Sequence, residues 1–125
     1  MSYASSGDSP LFSLDDSVLA IARDTFDTFY AGLANGSIYY LSVEGKVLRH
    51  WKAHKGGVTG ICVNPSQLTL SSAGEDGRVL FWDKYEQVAL ELANEPVWIE
   101  QLAWDPTGEV LAASAGKTIF LWRGT

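Results

Sequence analysis

AHKGGVTGICVNPSQLTLSSAGEDGRVLFWD, residues 53–83, decides how the rest of the chain is read. Val58, Ile61 and Val63 lie on an apolar run that ends at Pro65 and is too short for a helix. Leu68 and Leu70 alternate with Thr69 and Ser71, the period of two expected of a half-buried strand. Val79 to Trp82 is a continuous apolar run, which suits a strand covered on both faces. Asp76-Gly77 between these runs predicts a hairpin, because the tight turn that matches strand twist needs positive φ. Val88 to Leu92 supplies a fourth short strand. The stretch therefore predicts a small antiparallel sheet built within about forty residues, a length at which sheet units commonly repeat.

The unit recurs on both sides. Upstream, Val18–Ala22, Phe29–Leu33, Ser37–Leu41 and Val47–Trp51 repeat the strands, with Asn35-Gly36 in place of Asp76-Gly77 and Glu44-Gly45 at the next turn. Downstream, Ile99, Leu102 and Trp104 repeat Val58, Ile61 and Val63 at a spacing of 41 residues. Asp105-Pro106-Thr107-Gly108 is a turn, and Val110–Ser114 and Thr118–Trp122 are the strands after it. Before the first unit, residues 1–10 are small and polar and read as a flexible leader. Leu11-Phe12-Ser13-Leu14 reads as one spare strand.

These features resemble a WD repeat. Ala53-His54 is close to the Gly-His pair that opens such a repeat, and Trp82-Asp83 closes it. The resemblance implies an all-β fold of propeller blades, each of four antiparallel strands. It also implies a hydrogen-bonded structural tetrad, whose roles fall on His54, Ser72, Asp76 and Trp82. The first copy has no His before its first strand, Ala31 where Ser72 stands and Leu41 where Trp82 stands. The third keeps Trp122 but lacks the other three. Residues 47–54, 72–76 and 82–85 are further similar to blades of intraflagellar transport subunits.

The chain divides into a leader plus closing strand (1–15), repeat 1 (16–54), repeat 2 (55–92) and repeat 3 (93–125), which lacks its last strand. Closed propellers have about four to eight blades, so three would form an arc with two apolar end faces. Two solutions are expected. Self-association into a dimer would give six blades, with Leu11, Phe12 and Leu14 pairing beside Ile119 and Leu121 of a second copy. Alternatively, the blades are part of a larger propeller completed by another segment or partner.

Composition narrows the function. The chain has 125 residues, 46% of them hydrophobic and 12% aromatic, enough to bury a core. A net charge of -6 disfavours nucleic acid and anionic membrane as partners. The lone Cys62 sits in an apolar strand, as expected of inert packing in a reducing compartment, so a cytoplasmic location is expected. No Cys/His cluster has metal spacing, no phosphate loop is present and no cofactor is expected. His50 and His54 lie four apart, but on a strand-to-loop segment, so they need not share a face.

The expectation is a non-catalytic scaffold that binds a protein or peptide through the loops at one rim of the blades. An enzyme on the same scaffold is the weaker alternative, and a purely structural arc is the other. The partner-binding candidates are Trp98, Glu75, Lys55 and Asn35. Trp98 aligns with Gly57, just before a strand, where an indole either stands exposed as an anchor or packs against the neighbouring blade; aromatic anchors are enriched at binding hot spots.

Overall fold

The computed structural model describes residues 12–24, 27–83 and 86–124. They form three antiparallel sheets. The first blade is β1 (Val18–Arg23), β2 (Thr28–Leu33), β3 (Ser37–Ser42) and β4 (Val47–Lys52), paired in that order. The second is β5 (Val58–Val63), β6 (Leu70–Gly74), β7 (Arg78–Trp82) and β8 (Val88–Asn94). The third is β9 (Gln101–Trp104), β10 (Val110–Ala115) and β11 (Thr118–Arg123). The strands match those expected from the alternation of apolar residues.

The blades stack through their first strands: β1 and β2 pack on β5, and β5 and β6 on β9. One core lies at each junction. Tyr30, Ile38 and Ala53 of the first blade meet Val58, Ile61, Leu80 and Trp82 of the second. Val79 and Ala93 of the second meet Ile99, Leu111 and Ala113 of the third. Each fully buried aliphatic side chain contributes about 1.5–3 kcal/mol, so blades of this size are held by their neighbours rather than by themselves. Aromatic pairs add direction: Trp51 meets Trp82 edge-on at 5.6 Å, and Phe81 stacks on Trp104 at 5.8 Å. Polar links reinforce the second junction. Thr59 Oγ1 donates to the Ile99 carbonyl, and Asn64 Nδ2 donates to the Gly108 carbonyl at 3.1 Å.

One expectation is corrected. Leu68 is not an inward strand residue; it has φ of 57° and is exposed. The turn begun at Asn64 extends to it, with the Leu68 N–H donating to the Asn64 carbonyl at 2.8 Å, so β6 starts at Leu70. The spare strand is expected to pair with β11 of a second copy. Leu11 lies outside the described residues, and Phe12, Ser13 and Leu14 are in no strand. Phe12 instead lines an apolar groove on the open face of the first blade, with Ile21, Phe29, Leu41 and Val43. Tyr39 Oη donates to Asp15 Oδ1 at 3.1 Å beside the same segment.

Candidate functional site

The turns between second and third strands, and the loops that enter each blade, lie at one rim. Backbone hydrogen bonds staple them together. Ala53 and His54 N–H both donate to the Gly36 carbonyl, at 2.8 and 3.1 Å, and Glu95 N–H donates to the Gly77 carbonyl at 2.8 Å. Gly77 has φ of 80°, and a Cβ there would stand 1.8 Å from the Glu95 carbonyl oxygen. Glycine is needed twice over, for the turn and for the loop pressed against it.

Beneath this rim the structure brings His54, Ser72, Asp76 and Trp82 together. Trp82 Nε1–H donates to Ser72 Oγ at 2.8 Å. Ser72 Oγ lies 2.7 Å from His54 Nε2, and His54 Nδ1 lies 2.9 Å from Asp76 Oδ1. An indole can only donate and a carboxylate can only accept, so a neutral imidazole protonated on Nδ1 satisfies every member. Burial pushes the His54 pKa down, against the pull of Asp76, which agrees with that neutral form. Burial works against the Asp76 carboxylate as well. The Lys55 N–H, His54 and the Arg78 N–H outweigh it and hold the Asp76 pKa below the usual range. The chain of four pins the loop entering β5 to the turn after β6. Its polar atoms are spent on one another, so it is a structural device and offers no reactive group.

The four rim candidates differ in freedom. Trp98 is 60% exposed on the loop before β9. That loop is fixed at both ends, by Glu95 as above and by Ile99 N–H donating to the Gly74 carbonyl at 3.2 Å. Lys55 is exposed, with its backbone N–H tied to Asp76 Oδ2 at 3.1 Å. Glu75 is half-buried, and its Oε1 accepts the Gly57 N–H at 2.7 Å, so this carboxylate holds the neighbouring loop in shape. Asn35 Oδ1 accepts the Ser37 N–H at 3.0 Å, and its carbonyl accepts from Lys52 Nζ. The Cys62 thiol donates to the Leu102 carbonyl at 3.5 Å, and burial pushes its pKa up to about 11. Among the described residues no group of three or more His, Cys, Asp or Glu is arranged to hold a metal ion.

Blades of this build define a repeat protein of the β-propeller class. The family model for the WD domain, G-beta repeat, matches residues 45–83 and 92–123, and the chain belongs to that family. Each matched unit starts in or near the last strand of one blade and ends with the third strand of the next, so the sequence repeat straddles the structural one. Proteins of this family are typically non-catalytic scaffolds with interaction roles.

The chain is similar to the Intraflagellar transport protein 80 homolog of Rattus norvegicus, 29% identical over 82% of this chain and 13% of that protein. It is similar to the WD repeat domain-containing protein 83 of Homo sapiens, 32% identical over 63% of this chain and 26% of that one. The Ribosome biogenesis protein ERB1 of Chaetomium globosum is 35% identical over 57% of this chain and 10% of its own length. The chain thus spans only a minor part of each of these relatives. A chain in the crystal structure of the Mitotic Checkpoint Complex superposes with a TM-score of 0.77 at 23% identity, covering 85% of this chain and 36% of that one. That likeness concerns the fold alone.

Proposed function

We propose that the chain is a non-catalytic interaction scaffold that holds a protein or peptide against its upper rim. The observation that carries this is Trp98, a large indole left mostly in water on a loop whose backbone is fixed at both ends. A preordered aromatic side chain loses little entropy when a partner covers it. The similar proteins carry names from intraflagellar transport and from ribosome biogenesis, so they support no single partner. The test is Trp98→Ala. The urea midpoint should stay within about 0.5 kcal/mol of the parent, as for exposed positions generally. Affinity for a protein partner, once captured and titrated, should fall by roughly thirtyfold or more, as at a hot spot. A large loss of stability, or an unchanged affinity, refutes the reading.

A second reading is favoured by the end faces: the arc is completed by a second copy of the chain. Ile21 is 68% exposed, whereas Ile61, its counterpart in the second blade, is 8% exposed at the first junction. At the other end Ile119 is 71% exposed, whereas its counterparts Ile38 and Val79 are fully buried against the next blade. The two open faces therefore repeat the two halves of an inner junction, which is the geometry of a head-to-tail contact. Light scattering should then give twice the chain mass, and Ile119→Lys should return a monomer. A parent chain that is monomeric at micromolar concentration overturns self-association and leaves the open faces to other blades.

A further inference from the structure

The face on which one blade receives the next carries a row of three residues paired across the sheet. In the first blade the row is Ala20, Gly32 and Ile38. In the second it is Gly60, Ala73 and Val79, and in the third Gln101, Ser114 and Ile119. What enters each row is a pair of side chains from the start of the following blade. Val58 and Ile61 enter the first row so closely that a Cβ on Gly32 would stand 2.6 Å from Val58 and 2.9 Å from Ile61. A register shift between Val58 and Gly60 puts these two residues, three apart, on one face. Leu102 enters the second row, where a Cβ on Gly60 would stand 3.1 Å from the Leu102 Cβ, and Ile99 is buried in the same core.

The third row is open. Gln101, Ala103, Ala112, Ser114 and Ile119 line a depression of about 140 Å3 there. At the other end of the chain the entering pair is open as well. Val18 and Ile21 are the counterparts of Val58 and Ile61, the same two residue types with the same register shift after the first. They are 46% and 68% exposed, whereas Val58 and Ile61 are buried. One chain thus carries a receiving row with nothing in it and an entering pair with nowhere to go, on its two opposite end blades. Apolar surface left open in this way marks a contact face.

We propose that the depression beside Ser114 is the seat for Val18 and Ile21 of a second copy of the chain, in the register of the inner junctions. This rests on the reading that two arcs complete one ring, and it adds which residues meet. Made twice, the contact closes a ring of two chains, since each copy both receives and enters. A side chain at position 101 is compatible with the register, because Ala20 holds the same place in the first blade and packs its Cβ on the core there. Ser114 puts a hydroxyl where Gly32 and Ala73 have none. That hydroxyl loses water when the seat is filled, so the contact between chains is weaker than the junctions within one.

Disulfide trapping reads the register. Position 101 facing Ile21 repeats Gly60 facing Leu102, where the two Cβ positions are 3.1 Å apart, close to the roughly 3.5–4.5 Å that a disulfide spans. Full-length chain carrying Gln101→Cys is mixed with chain carrying Ile21→Cys and treated with oxidised glutathione. A covalent species of twice the chain mass should form in the mixture and with neither variant alone. The unsubstituted chain, with its half-buried Cys62, is the blank. Val43→Cys, at the other end of the groove that Ile21 lines, should cross-link to Gln101→Cys at least tenfold more slowly. The double variant Ile21→Cys, Gln101→Cys should give two-chain species and no longer ladder. Ser114→Ala, which copies Ala73, should lower the dimer dissociation constant severalfold in light scattering on dilution. A dimer that cross-links equally through position 43, or not through position 21, overturns the proposed register and leaves self-association standing. A ladder of many chains, or a Ser114→Ala dimer weaker than the parent, overturns the proposal too. A monomeric parent overturns it together with the reading on which it rests.

Discussion

Adjacent serines give the sharpest test of the buried network. Ser71 and Ser72 are both fully buried on β6. Ser72 Oγ has two partners, the Trp82 indole at 2.8 Å and the His54 imidazole at 2.7 Å. Ser71 Oγ has none. Replacing Ser72 by Ala leaves an indole N–H and an imidazole nitrogen buried and unpaired. An orphaned buried group costs roughly 1–3 kcal/mol, so the pair costs about 2–6 kcal/mol. Replacing Ser71 by Ala removes an oxygen that was already unpaired, so it should be neutral or stabilise by up to about 1 kcal/mol. The volume change is the same in both variants, so packing cancels from the comparison. Urea denaturation, with the slope checked for constancy, measures both. In a Trp82→Phe background one of the two orphans is gone, and the Ser72→Ala cost should shrink by about 1–3 kcal/mol. Equal losses at Ser71 and Ser72, or no shrinkage in that background, would refute the network as a source of stability.

Two further outcomes follow from the same geometry. Burial lowers the His54 pKa from its ordinary 6.5, so below that pH the unfolded chain takes up a proton that the folded chain refuses. Stability should therefore begin to fall as pH drops through 6.5, and fall again below 3.8 as Asp76, held below that ordinary value, loses its advantage. Urea midpoints across pH 3–7 check this, and His54→Gln should abolish the upper step. Gly45→Ala meets nothing within 4 Å and should cost only its positive-φ strain, about 1–2 kcal/mol. Gly77→Ala adds a collision with the Glu95 carbonyl and should cost clearly more. Equal midpoints for the two would mean that the entry loop yields easily.

The strands were legible because their causes are local. Alternation in Val58–Val63, the apolar run at Val79–Trp82 and the Asn35-Gly36 and Asp76-Gly77 turns each depend on residues within one hairpin. The four tetrad positions were also readable, because their spacing matched a known family. Leu68 was misread, since the pattern of apolar residues does not show that the Asn64 turn extends through it with positive φ. Glu75 was expected to meet a partner, yet its oxygen accepts the N–H of Gly57, 18 residues away. Trp51 is partly buried, packed against the core of the first junction. Only the meeting of β4 with the second blade leaves its N–H without a partner at a cleft. Ile21 and Ile61 are the same residue at the same place in two repeats, one in water and one buried. The sequence determined by itself which residues form strands and turns, because φ preference and side-chain alternation act over a few residues. The tertiary structure alone decided which faces are covered and which polar atoms find partners, because both depend on what another blade, some 40 residues along the chain, brings alongside.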